Sequence, residues 1–195
     1  MRINNIVVYG AYTDKYLGDN HAASQLREAV QQINHLFKAS PLVKLEFTTS
    51  SSSVISNAVY PDAEAIADDR TIIVFTDRIH SASVLKLVVH EYVHVCIAKT
   101  FLGVCPVWLN EGLAVYLSGQ GEDIKPICPA DIERFYFSNQ GEPLFYNMAL
   151  YTVCKLTDKL PISQLVDAAR NCRSFYDDPI FGIRSIESLS TDSAL

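Results

Sequence analysis

What this chain lacks narrows its function before any motif is weighed. Charged residues make up only 19% of its 195 positions and the net charge is −6. No basic cluster is longer than a pair, so the electrostatic footprint of a nucleic-acid binder is missing. No stretch approaches the ~18–20 apolar residues needed to span a bilayer, and no membrane partner is expected. The five cysteines are an odd number without CxxC spacing, which argues against a disulfide framework or a zinc knuckle. Cys96, Cys105 and Cys154 sit in apolar stretches and are expected as reduced, buried thiols. The opening Met1 to Gly10 carries one Arg and an apolar run broken by Asn4 and Asn5, a poor signal peptide. Together these features lead us to expect a reducing, cytoplasmic setting.

What is present suits a small globular protein: 49% of the residues are hydrophobic, enough for a real core in a single domain of two lobes. Residues 1–80 look mixed α/β. Ile3 to Tyr9, Leu42 to Thr48 and Thr71 to Thr76 read as strands, and Ala22 to Phe37 as an amphipathic helix. Thr49 to Ser53 reads as a polar loop. Residues 81–182 look helical, with helices expected over Ser83 to Ala98, Pro106 to Leu117, Pro129 to Phe135, Pro143 to Leu156 and Ile162 to Ala169. Residues 183–195, polar and serine-rich, are expected as a loose tail.

The densest chemistry lies in His90-Glu91-Tyr92-Val93-His94, an HExxH pattern. On a helix, residues four apart share a face one turn, about 5.4 Å, apart. Two imidazoles so placed can hold one zinc ion. Glu91, one residue past the first ligand, can reach a water on that metal without itself being a ligand. The plainer reading of the pentapeptide is a buried helix with two satisfied histidines. His21, His35 and His80 have no ligand spacing and are expected at the surface or in caps, although His80 stands just before the HExxH helix.

A third ligand is needed, and Glu111 is the candidate, seventeen residues downstream of His94. It interrupts an apolar run (Val107, Trp108, Leu109, Leu113, Ala114, Val115), where a bare carboxylate facing the core would be costly. His-His-Glu is an attested catalytic zinc set. The alternative is that Glu111 shares a solvated stripe with Asn110. Gly112 is a poor helix former and suggests close approach of the HExxH helix, while Gly103 is the expected stop of that helix. Cys105, in the connecting loop, is a minor candidate for approaching the metal.

His90-Glu91-Tyr92-Val93-His94 followed by Trp108-Leu109-Asn110-Glu111-Gly112-Leu113-Ala114 resembles the gluzincin clan of zinc metallopeptidases, most closely its peptidase MA-like family. The likeness covers roughly residues 71 to 157 and is specific in the two ligand motifs. It implies an α+β, zincin-like fold, Zn2+ on His90, His94 and Glu111, and Glu91 as general base toward a peptide or protein substrate. Two departures stand out. The aminopeptidase exopeptidase motif is missing, and Val115 stands where thermolysin-like enzymes carry an Asp four residues after the Glu ligand. In such enzymes the strand before the HExxH helix commonly borders the cleft, so Thr71 to Thr76 is expected either as that edge or as a buried central strand.

Zinc-dependent peptide hydrolysis by promoted water is therefore the leading expectation. A non-catalytic zinc-stabilised binding or sensor domain is the alternative, and intact Glu91 argues against it. Hydrolysis of a non-peptide amide would share the same site. A donor for the developing oxyanion is sought among Tyr92, Tyr116, Tyr146 and Tyr151. Tyr92 and Tyr116 fall off the metal-facing stripes of their helices. Tyr146, in Tyr146-Asn147-Met148-Ala149, resembles the Tyr-x-x-small motif of aminopeptidase-like gluzincins, with Ala149 in the usual Gly place.

Overall fold

Two adjacent asparagines decide how the sheet begins. The expected strand from Ile3 to Tyr9 is instead a hairpin in the computed structural model, which describes residues 1–52, 62–80, 83–121, 124, 126–138 and 143–191. Asn4 adopts a φ of 50°, a conformation Asn tolerates well. The chain therefore folds back between β1 (Arg2–Ile3) and β2 (Ile6–Tyr9), which pair antiparallel. Helix α1 (Thr13–Leu17) and the long α2 (Asn20–Phe37) follow, the latter capped by Asp19, which accepts from the His21 amide at 3.0 Å. Strand β3 (Val43–Thr48) then pairs parallel with β2.

The chain returns through β4 (Ala65–Ala67) and β5 (Thr71–Phe75) to complete a five-stranded sheet of order β1-β2-β3-β5-β4. β5 pairs parallel with β3 and antiparallel with β4. The strand before the HExxH helix is thus interior, and the edge belongs to β4, a short strand the sequence reading did not anticipate. Alternation shows which face is covered: Val43, Leu45 and Phe47 of β3 are buried, whereas Lys44, Glu46 and Thr48 are half-buried or exposed. Ser50 to Ser52, expected as loop, make one 3-10 turn tied down by Asp77, whose carboxylate accepts from the Ser50 amide (2.8 Å) and hydroxyl (2.6 Å). Ser53 lies outside the described residues.

Helix α3 (Val84–Thr100) carries the HExxH sequence. The chain divides into two compact units, Met1–Lys99 and Thr100–Leu195, so α3 goes with the sheet rather than with the later helices as expected. Its buried residues run around the whole helix, Leu87 to Val93 without interruption and then Val95 to Ile97. The tie at its far end is the Lys99–Asp69 ion pair at 2.6 Å, on the surface.

The second unit contains α4 (Val107–Ser118), α5 (Ile132–Tyr136, entered through a 3-10 turn over Pro129–Asp131), α6 (Pro143–Lys159), α7 (Ile162–Asn171) and α8 (Ile183–Thr191). The expected tail is in fact helical to Thr191: Ile186 and Leu189 are fully buried, and Tyr151 donates to the Leu189 carbonyl at 3.4 Å. Burying two such side chains is worth about 1.5–3 kcal/mol each, enough to hold a short helix in place. Residues 192–195 lie outside the described residues. α3 already ends at Thr100, so Gly103 does not stop it. A Cβ at Gly103 would lie 2.7 Å from the Cys172 carbonyl oxygen, and close passage of that loop is what the glycine allows.

Gly112 serves α6. The nearest atoms to a Cβ built there are the Ala149 carbonyl oxygen at 2.6 Å and Val153 Cγ2 at 2.7 Å, both on α6 and not on the HExxH helix as expected. Trp108, one turn earlier on α4 and fully buried, packs near Phe135 and Tyr136 of α5, each with ring centroids 6.2 Å away. In an isolated helix Gly112→Ala would gain about 1 kcal/mol. Here the backbone carbonyl cannot move aside cheaply, and Gly112→Ala is expected to lower stability by about 1–3 kcal/mol. A urea unfolding midpoint that rises in this variant would contradict the close α4–α6 packing.

Candidate metal centre

The four-residue spacing does on α3 what helical geometry requires. The Nε2 atoms of His90 and His94 are 3.0 Å apart, with the rings nearly perpendicular at 83°. Two nitrogens bound tetrahedrally to one zinc at about 2.0–2.1 Å would sit about 3.3 Å apart. The pair is therefore already near the spacing that a shared ion demands. His90 is buried and His94 half-buried. Glu91 is also buried, about 100° round the helix from His90 and about 60° from His94.

Glu111 is half-buried, in the second turn of α4. One ligand atom from each of His90, His94 and Glu111 lies within 4.8 Å of the others. Among the described residues, this is the one such group of His, Cys, Asp or Glu side chains able to hold a metal ion. Two imidazoles and a carboxylate are a borderline donor set suited to a first-row divalent metal such as zinc. Cys105 is not part of the group. Burial pushes its thiol pKa up, and the charges of Cys172 and Glu111 add to the effect, which disfavours the thiolate. Burial likewise pushes Cys96 up to about 12 and Cys172 up to about 11. All five cysteines are among the described residues, and no disulfide joins them.

The tyrosines separate by what their hydroxyls already do. Tyr92 points away from the histidines, about 160–200° round α3 from them. Its hydroxyl donates to Asn34 Oδ1 at 2.6 Å and accepts from Asn5 Nδ2 at 2.6 Å. Burial raises its pKa well above that of an ordinary phenol. Tyr151 is committed to Leu189 of α8. Tyr116 is half-buried, five residues past Glu111. Tyr146 is half-buried near the start of α6, with the Phe145 ring edge-on at 6.3 Å. It lies on the same stripe as Ala149 and Val153, the residues that meet Gly112, and so on the side of α6 that faces α4.

Val115, in the place of the thermolysin-like acid, is buried. His21, His35 and His80 are exposed, and the His80 amide donates to Glu64 Oε1 at 2.6 Å. The asparagines behind Tyr92 are the residues the sequence reading missed. A polar Asn34 inside the amphipathic α2, with Asn5 in a hairpin turn, was the signal available for them. Among the described residues, no helix is long and apolar enough to cross a membrane. A scan against protein-family models finds none that matches this chain, and a search of the curated proteins finds no matching relative.

Proposed function

We propose that this protein is a zinc-dependent peptidase in which His90, His94 and Glu111 hold the metal and Glu91 is the general base. The observation that carries the reading is the convergence of those three ligand atoms within 4.8 Å. The buried Glu91 carboxylate stands beside the first ligand on the same helix. Zinc bound there would supply Lewis-acid chemistry, acidifying a coordinated water and polarising the scissile carbonyl.

The chain's own residues perform the rest. Glu91 takes the proton of the attacking water and delivers it to the leaving amine. Tyr146, on the α4-facing stripe of α6, offers a phenol that is neutral at physiological pH to the oxygen on which negative charge grows. The likeness of the two ligand motifs to those of gluzincins supports a peptide or protein as substrate.

Three variants test the assignment. Purified protein is expected to carry one zinc per chain, and Glu111→Ala to lose it to mild chelation. Full zinc occupancy in that variant would remove Glu111 from the ligand set. Glu91→Gln keeps the shape and the metal but lacks the base, and its turnover of a peptide substrate should fall by about 10²–10⁴-fold. Equal turnover in parent and Glu91→Gln would sink the mechanism, and zinc-loaded parent inert across a wide peptide library would favour a binding domain. Tyr146→Phe should retain fold and zinc while kcat drops by about 10²-fold or more. An unchanged kcat would make Tyr146 a packing residue.

A further inference from the structure

The sequence of α3 says that it is buried but not which way round. Leu87, Val88, Val93, Val95, Cys96 and Ile97 are all buried and are spread over every side of the helix. Turning such a helix about its axis exchanges one apolar contact for another, so burial alone does little to choose a rotation. A polar side chain with fixed partners does choose, because any other rotation strands its donors and acceptors away from water. Buried polar residues that set the register of apolar helices are the best-attested instance of this effect.

On α3 that side chain is Tyr92, fully buried and on the side opposite His90 and His94. Its hydroxyl, Asn34 and Asn5 form a closed ring of hydrogen bonds: Tyr92 to Asn34 Oδ1 at 2.6 Å, Asn34 Nδ2 to Asn5 Oδ1 at 2.9 Å, and Asn5 Nδ2 to the Tyr92 hydroxyl at 2.6 Å. Asn5 Nδ2 also donates to the Pro41 carbonyl. The ring thus joins α3 to the β1–β2 turn, to the last turns of α2 and to the entry of β3. All four anchor points lie in the unit that carries the histidines.

We propose that Tyr92 is a positioning residue for the metal-binding histidines. Its hydroxyl, held by Asn34 and Asn5, fixes the rotation of α3 and so the direction in which His90 and His94 present their Nε2 atoms. This inference rests on the metal reading of the site. It assigns to the first variable residue of the HExxH sequence a task separate from metal ligation and from proton transfer.

The test measures zinc affinity by competition with a chelator, beside the urea midpoint of each protein. Tyr92→Phe keeps the ring and removes the hydroxyl. Its zinc dissociation constant should rise about tenfold, the lower end of what loss of a ligand-orienting group costs. Asn34→Ala, which acts from another helix, should give the same loss, and the double variant should lose no more than either single one, because both break one ring. Phe47→Leu is the control for general weakening; its ring stacks on Tyr16 at 5.1 Å, and its loss should lower the midpoint while leaving zinc affinity within about twofold of the parent. Parental affinity in both Tyr92→Phe and Asn34→Ala overturns the positioning role while the metal site stands. An equal loss in Phe47→Leu overturns it too, by showing that affinity merely follows stability. A parent protein that binds no zinc overturns the metal reading itself, and the inference with it.

Discussion

Helix α3 presents two imidazoles in one direction although its buried apolar residues lie on every side of it. Water is excluded from most of its middle, and the polar contacts at its back and its end distinguish one rotation from another. The Tyr92–Asn34–Asn5 ring supplies that distinction, and the Lys99–Asp69 pair adds a weaker surface tie. A partly buried hydrogen-bond ring anchored on the fully buried Tyr92 is effective here because of its asymmetry. Making it adds modest stability, whereas misplacing it leaves several groups unsatisfied at once. The sheet beneath serves the same end, since β2, β3 and β5 fix where the asparagine-bearing hairpin and the end of α2 stand.

In the second unit the corresponding constraint is steric. Gly112 lets α4 lie against the backbone of α6 at Ala149, a contact any side chain would forbid. That approach sets the register between the helix of Glu111 and the helix of Tyr146. Two different forces thus fix the candidate groups: directional hydrogen bonds for the histidines, and backbone-to-backbone packing for the glutamate and the tyrosine. Trp108, wedged beside Phe135 and Tyr136, keeps the start of α4 from rotating.

Burial disfavours the thiolate at several cysteines. It pushes the Cys96, Cys105 and Cys172 thiols up, which favours their protonated form. Cys105 is the instructive case, because it stands six residues before Glu111 in sequence and feels its charge. That charge raises the thiol pKa further.

The sequence alone determined what depends on short spacings and local preference. It placed both ligand-bearing helices to within two residues, because apolar runs, Pro106 and the HExxH spacing are local signals. It marked Glu111 because a carboxylate in an apolar run needs a partner. It placed His21, His35 and His80 at the surface, but of the three thiols expected as buried only Cys96 is fully so; Cys105 and Cys154 are half-buried, and Cys172 is buried without having been singled out. Tertiary structure decided the rest. The Asn4–Asn5 break became a hairpin because Asn4 could take a positive φ and β2 could then pair with both β1 and β3. β5 became interior only because the three-residue β4, too short to read from pattern, covers it. The serine-rich end became helix α8 because Ile186 and Leu189 found a core that no local rule could foresee. Gly112 and Tyr92 were visible as residues, but their partners, Ala149 and Asn34, lie 37 and 58 positions away. Contacts at such separation are created by folding and carry no local signature.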